Sequence, residues 1–361
     1  MYKYEHGGDI YQKRFLSGGK RVVDYSANLN PLGLPVAVKK AVVKALKDCE
    51  NYPDPFCRDL SAAIGDKFGL PKEYVFCGNG AADVLFRLAL AVKPKRALLL
   101  APTFADYEKA LLTVHTEIVY YPLTEANAFA VQEDILNKVD ESIDFIVICN
   151  PNNPTGMLTK RDLLLRLLQK AEACKAYVLV DECFMDFVAE PEAYTLLQQL
   201  VGYKNLIILK AFTKTYAMPG LRLGYCLTAN ADIIDSLREH GQDWSVSTVA
   251  QAAGLAALQE TEYVLAGKSL VAKERQYLHA SLSKLGIRVF NGAANYLLLK
   301  IDCIDFAERL AVKGFLVRKC ANYHQLNAEF FRIAVKRHST NVRLIKAIKE
   351  VLADAVINGN N

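Results

Sequence analysis

Lys214 lies just past an apolar run in Leu206-Ile-Ile-Leu-Lys-Ala-Phe-Thr-Lys-Thr-Tyr-Ala-Met-Pro-Gly-Leu-Arg-Leu-Gly-Tyr225, with Arg222 eight residues on. An amine placed beside a guanidinium fork suggests a Schiff-base lysine with a nearby phosphate clamp. A lone lysine is ordinarily a hydrated surface charge, so its company decides the reading. Four other apolar runs also end in polar motifs. Tyr74-Val-Phe-Cys77 leads into Gly78-Asn-Gly-Ala-Ala-Asp83, and Ala97-Leu-Leu-Leu-Ala101 into Pro102-Thr-Phe104. Phe145-Ile-Val-Ile-Cys149 leads into Asn150-Pro-Asn-Asn-Pro-Thr-Gly156, and Tyr177-Val-Leu-Val180 into Asp181-Glu182. Ligands of open α/β sheets sit outside the carboxyl ends of the strands, so these five ends could converge on one crevice.

Each motif has a chemical reading beside a plain structural one. Small residues at Gly80, Ala81 and Ala82 let backbone N–H groups approach a phosphate at a helix N-terminus, though tight strand-to-helix turns need glycine anyway. The segment is not a dinucleotide fingerprint, because the third glycine is missing. A carboxylate at the end of a buried strand, as at Asp181, is costly unless it pairs with a cation such as a protonated pyridine nitrogen; otherwise it caps a helix or joins a salt bridge. Turn chemistry alone would account for Asn150 to Gly156, while an Asn held rigidly there can also donate to a phenolate-like oxygen. Phe104 either stacks on a planar cofactor or fills core. Arg332, inside Phe330-Phe-Arg-Ile-Ala-Val335, either grips a substrate carboxylate or alternates to a wet face.

The elements that must position these residues alternate between strand-like and amphipathic helical patterns from about Val36 to Leu227. Helices are expected after Gly80, Ala105 and Glu133, with strands near Leu98 and Ile118. Such alternation argues for a mostly parallel sheet with helices on both faces. Beyond Ala231 a long helical stretch, roughly Asp232 to Leu285 with breaks, precedes strand-like runs at Ile287–Phe290, Tyr296–Lys300, Gly314–Arg318 and Phe330–Val335, with helices near Asp305 and Asn341. The expected organisation is an N-terminal arm over 1–35 packing with the small domain, a large domain over 36–235, and a connecting helix with a smaller α+β domain over 236–361.

The 361 residues, 52% hydrophobic and 23% charged, have an ordinary globular composition long enough for a large core. A net charge of +5 with interspersed signs leaves no footprint for nucleic acid or an anionic membrane. No apolar stretch approaches a bilayer span, and Met1 to Gly8 lacks the apolar segment of a secretory signal, so a cytoplasmic protein is expected. The arm is too short and too rich in Gly and Pro for a DNA-binding module, which argues against a regulator. Nine cysteines without a CxxC pair read as free thiols, and six scattered histidines as no metal site.

Asn153-Pro-Thr-Gly156, Asp181, Lys214 and Arg222, in this order and spacing, resemble the fold-type-I pyridoxal-phosphate enzymes of the class I/II aminotransferase family over essentially the whole chain. The resemblance implies the aspartate aminotransferase fold and pyridoxal 5'-phosphate as cofactor. It implies that Lys214 is the catalytic Schiff-base lysine, that Asp181 pairs with the pyridine nitrogen, and that Asn153 bonds the phenolic oxygen. Gly80, Ala81, Ala82, Thr213 and Arg222 would hold the cofactor phosphate, and Phe104 would stack on the ring. Tyr52 would reach the cofactor of a neighbouring subunit, which implies a homodimer with shared active sites. Arg332 matches the family's arginine for the substrate α-carboxylate.

Tyr52-Pro-Asp54 and the short Arg332 strand are similar to the histidinol-phosphate aminotransferase branch. His6-Gly-Gly-Asp9, Asp24-Tyr-Ser-Ala-Asn-Leu-Asn-Pro-Leu-Gly33, Ala217-Met-Pro-Gly-Leu-Arg222 and Arg318-Lys-Cys-Ala-Asn-Tyr-His324 resemble the threonine-phosphate decarboxylases of cobalamin synthesis. A small phosphorylated amino-acid substrate is then expected, with His6, Asn30 and Arg337 as candidate anchors for its phosphate. Two positions depart from the wider pattern: Phe184 where a tyrosine is common, and Ala211 where a serine often touches the phosphate. By this resemblance decarboxylation of O-phospho-L-threonine is expected, with a histidinol-phosphate-type aminotransferase using 2-oxoglutarate as the alternative; the choice depends on which bond at Cα stands perpendicular to the cofactor ring.

Overall fold

The structure, a computed structural model, describes residues 6–11, 22–303 and 305–358, with side chains to Asp354. Expectations that fall on residues 1–5 and 12–21 of the arm lie outside these. Strand β1 (Val23–Asp24) ends the arm, and helices α1 (Val36–Ala45) and α2 (Arg58–Phe68) lead into the large domain. There the chain runs β2 (Val75–Gly78), α3 (Ala81–Val92), β3 (Arg96–Ala101), α4 (Ala105–Leu112), β4 (Glu117–Pro122) and β5 (Phe145–Cys149). It continues through α5 (Arg161–Ala173), β6 (Tyr177–Asp181), β7 (Leu206–Ala211), the single turn α6 (Phe212–Thr215) and β8 (Gly224–Leu227).

The seven strands lie in the order β2-β8-β7-β6-β5-β3-β4. Strands β3 to β7 pair in parallel, whereas β8 runs antiparallel to both β2 and β7, so the sheet is mixed. Every residue of β5 and β7 is buried, which is why these strands read as unbroken apolar runs. Alternation still sorts their side chains. Leu98, Ile146, Val178 and Ile208 pack on one face, and Leu99, Val147, Leu179 and Ile207 on the other.

The helical stretch after Leu227 is three helices, α7 (Ala231–Glu239), α8 (Thr248–Leu258) and α9 (Thr261–Ser283). The break after α7 contains Trp244 with a positive φ of 54°. The expected boundary at residue 235 falls inside α7, whose Ile233, Ile234 and Leu237 are buried with residues of the large sheet. The smaller α+β domain follows with β9 (Arg288–Val289), β10 (Tyr296–Lys300), α10 (Phe306–Val312), β11 (Phe315–Leu316), β12 (Arg318–Lys319), β13 (Phe330–Ala334) and α11 (His338–Asn358). Four of these strands form an antiparallel sheet in the order β12-β13-β10-β9. Its core gathers Leu297, Leu299, Phe331 and Ile333 with Leu344 and Ile348 of α11 and Tyr25 of the arm. Strand β1 pairs in parallel with β11, which ties the arm to this domain.

The helix expected after Glu133 is instead a short 3-10 segment, Glu133–Lys138, with Ile135 its sole buried residue. A full helix needs an apolar stripe to bury, and that stripe occurs later, in α5, through Leu163, Leu164, Leu167, Leu168 and Ala171.

Candidate active site

Lys214 sits on the turn α6 directly after β7, and both sides of that turn are pinned. The Asn30 N–H donates to Lys214 O at 3.0 Å, and Asn30 Nδ2 to Thr215 O at 2.9 Å. Thr215 Oγ1 donates to Asp186 Oδ2 at 2.6 Å. The lysine side chain is half-buried, with Nζ 5.8 Å from the centre of the Phe184 ring. Burial, then the Arg332 cation and more weakly Arg222, push its amine down to about 8, against the pull of Cys183 and Asp181. A neutral amine is therefore accessible near physiological pH.

Beside it lies an anion cradle. Helix α3 begins at Ala81 with Gly80 as its N-cap and no side-chain cap, so its first N–H groups carry the helix dipole without a side-chain acceptor. Gly80 has φ 90°, and a Cβ there would lie 2.5 Å from Arg222 Nη2. A Cβ on Gly224 would meet Ala81 N at 2.3 Å. Arg222 itself adopts a left-handed φ of 54°, a conformation costing roughly 1–2 kcal/mol for a residue with a Cβ. Two glycines and a strained arginine thus bring a guanidinium onto a helix N-terminus, a donor set that fits the cofactor phosphate. Ala81, Ala82, Thr213 and Arg222 all line the same cavity of about 360 Å³ as Lys214.

The cavity floor carries a buried carboxylate. Asp181 accepts from Tyr107 Oη at 2.6 Å through Oδ2 and from the Cys183 N–H at 2.9 Å through Oδ1. These bonds keep the charge satisfied where a pyridinium nitrogen would face it. Asn153 accepts from Arg332 Nη1 through Oδ1. That bond fixes which end of the amide is oxygen, leaving Nδ2 as the donor. Phe104 caps α4 at the cavity edge, 5.6 Å from the Tyr107 ring and 5.7 Å from His6. The Phe184 ring packs edge-on against Tyr296 at 5.0 Å, so the absent phenol is replaced by aromatic packing.

The wall farthest along the chain is cationic. Arg332 of β13 and Arg318 of β12 are direct register partners, and both line the cavity with His6 of the arm. Arg332 Nη2 donates to Ser26 O at 2.7 Å, and His6 Nε2 lies 3.1 Å from Asp106 Oδ1. Two expected residues lie off this cavity, and Tyr52, expected at a neighbouring subunit's site, lies on the surface. Asn30 is spent on the Lys214 turn and packs against Gly267, where a Cβ would come within 2.3 Å of its Nδ2. Arg337 donates to the carbonyls of Pro31 and Leu32, at 3.0 and 3.1 Å, and does not line the cavity. Tyr52 is 80% exposed, its ring 4.6 Å from that of Trp244. Arg318, Tyr107 and Tyr323 also line the cavity and were not singled out as site residues from the sequence. The signal for Arg318 was its alternation with Arg332 on neighbouring strands, which becomes visible once their register is known.

Fold and site together define a pyridoxal-phosphate enzyme of fold type I. The chain belongs to the aminotransferase class I and II family, whose pattern it matches over residues 20–348. It is 34% identical to the threonine-phosphate decarboxylase of Salmonella typhimurium, over 98% of this chain and 98% of that one. Among solved structures it resembles the histidinol-phosphate aminotransferase from Clostridium acetobutylicum, with TM-score 0.86 and 28% identity, covering 91% of this chain and 99% of that one. It also resembles L-threonine-O-3-phosphate decarboxylase from Porphyromonas gingivalis, with TM-score 0.76 and 25% identity over 88% of this chain and 95% of that one.

Proposed function

We propose that this protein removes the carboxylate of O-phospho-L-threonine, giving carbon dioxide and (R)-1-aminopropan-2-yl phosphate for cobalamin biosynthesis. The observation that carries the reading is the Arg318 and Arg332 register pair, with His6 on the same cavity. Two guanidinium groups on one wall, set apart from the Arg222 cradle, suit a substrate bearing two anions, a carboxylate and a phosphate. The Salmonella relative, alike along its full length, supports the same substrate.

Bound pyridoxal phosphate supplies the electron sink for the pair left when one bond at the substrate Cα breaks. The chain's own groups do the rest. Lys214 Nζ would hold the cofactor and carry a proton, the Asp181 carboxylate would face its ring nitrogen, and Asn153 Nδ2 would donate to its phenolic oxygen. Arg332 takes the carboxylate, and Arg318 with His6 the phosphate. How these anions are divided sets which Cα bond is perpendicular to the ring. In decarboxylation the bond to the carboxyl carbon breaks, carbon dioxide leaves, and a proton is added at Cα.

A second reading is a histidinol-phosphate-type aminotransferase using 2-oxoglutarate and glutamate, and the solved structures lean toward it. There Lys214 Nζ would take the Cα proton instead. We place the active form as a homodimer, with the exposed Tyr52 and Trp244 pair facing a second copy's site. We place it in the cytoplasm, where its nine unpaired cysteines would persist.

The test is incubation of cofactor-loaded protein with O-phospho-L-threonine and no keto acid. Multiple-turnover carbon dioxide release is expected. Failure of that release, with glutamate formed from histidinol phosphate and 2-oxoglutarate, would make it the aminotransferase.

A further inference from the structure

Three successive residues in the first turn of α4 each reach a different part of the chain. Asp106 meets His6 of the arm, and Tyr107 donates to Asp181 on the floor. Glu108 Oε2 lies 3.0 Å from His324 Nε2, at the end of the segment that follows β12 in the small domain. The Tyr120 ring of β4 sits 4.5 Å from the His324 ring. The large domain thus offers His324 a socket built from two elements.

His324 directly follows Tyr323, which lines the cavity, and Arg318 lines it six residues earlier. The segment between them is internally tied. Arg318 Nη2 donates to Asn322 Oδ1 at 2.7 Å, and its guanidinium lies 5.3 Å from the Tyr323 ring centre. A displacement of His324 would therefore carry Arg318 and Tyr323 with it. Neither Glu108 nor His324 lines the cavity.

We propose that Glu108 and His324 form a clasp that holds the Arg318–His324 segment against the large domain, making both positioning residues for the anion-binding wall. The proposal rests on Arg318 being an anion anchor. Its effect is modest by nature, since the His324 and Glu108 side chains are 54% and 30% exposed. A polar contact this open to water is worth at most about a fivefold change in binding.

The experiment uses cofactor-loaded protein, whose phosphate cradle is filled, and titrates inorganic phosphate as the probe alongside steady-state kinetics. Glu108→Ala and His324→Ala are each expected to raise the phosphate Kd and the substrate KM about fivefold, with kcat within about twofold and Tm unchanged. The double variant should be no worse than the poorer single, because the two residues act through one contact. Glu108→Gln, which keeps an acceptor for His324 Nε2–H, should recover part of the affinity. Additive losses, or a fall in kcat with phosphate Kd unchanged, would overturn the clasp. If both alanine variants bind phosphate normally while Arg318→Gln does not, the clasp is wrong and the anchor reading stands. If Arg318→Gln binds phosphate normally, the anchor reading fails and the clasp with it.

Discussion

Arg332 Nη1 donates to Asn153 Oδ1 across 179 residues of sequence, joining the small-domain sheet to the loop after β5. One contact thereby orients two groups of the site: the amide that would face the cofactor and the guanidinium proposed for the substrate carboxylate. The same arginine reaches Ser26 O of the arm, so three parts of the chain meet on one side chain.

Arg332→Lys should therefore damage more than substrate binding. It removes the planar fork and leaves the Asn153 Oδ1 and Ser26 O acceptors short of a donor. Breaking a buried charged hydrogen-bond set costs on the order of 2–5 kcal/mol, so kcat/KM should fall by about a hundredfold or more. Combining it with Asn153→Ala should cost less than the product of the two single effects. A double-mutant cycle on kcat/KM checks this, and strict additivity would show that the two residues work apart.

Gly80→Ala tests the cradle. The new Cβ meets Arg222 Nη2 at 2.5 Å and sits at φ 90°, so the guanidinium must move and the backbone is strained. The dissociation constant for pyridoxal phosphate should rise about tenfold or more, equivalent to 1.4 kcal/mol per decade. Equilibrium titration of the apo protein measures it, and an unchanged constant would place the phosphate elsewhere.

The depressed amine of Lys214 predicts a pH profile. Below about 8 the lysine is charged and above it neutral, because burial and Arg332 disfavour the cation. Only the neutral form attacks an aldehyde, so the rate of cofactor capture by apo protein should rise with pH and level off above about 8. Arg332→Gln removes one of the depressing charges and should move the midpoint upward. Stopped-flow absorbance follows the capture; a midpoint at the ordinary lysine value of about 10.4 would contradict the reading.

Tyr107→Phe takes the donor from Asp181 Oδ2 and leaves the carboxylate with the Cys183 N–H. Losing a bond to a buried charge costs about 1.5–3 kcal/mol. Weaker cofactor binding by tenfold or more is expected, measured by the same titration. No change would argue that Asp181 does not face the cofactor.

Asn30→Ala separates structure from recognition. Its amide braces the Lys214 turn, so removal leaves Thr215 O without its partner and costs about 1–3 kcal/mol of stability. The phosphate Kd of the loaded enzyme should stay within about twofold while thermal denaturation shows the lost stability, since the side chain does not line the cavity. A raised Kd at unchanged Tm would return Asn30 to the substrate.

The parts of the site legible in sequence are those where one local segment carries its own signal. Asp181 ends a buried strand and Lys214 and Asn153 follow one, and such strands announce themselves because both faces need apolar residues. The Gly80 turn was legible as a strand-to-helix junction, yet its need for glycine comes from Arg222, more than a hundred residues away. Asn30 and Arg337 show the converse. Polar residues near family motifs looked like ligands, but their donors are taken up by backbone carbonyls of neighbouring segments.

By itself the sequence determined most of the order of elements, the family and the cofactor, because apolar runs and short motifs are local properties of the chain; the helix expected after Glu133 is the exception. The antiparallel insertion of β8, the pairing of Arg318 with Arg332, and the contacts of Asp106, Tyr107 and Glu108 with His6, Asp181 and His324 were decided by tertiary structure. Register and the meeting of distant side chains depend on how sheets and domains pack, and no single segment encodes them.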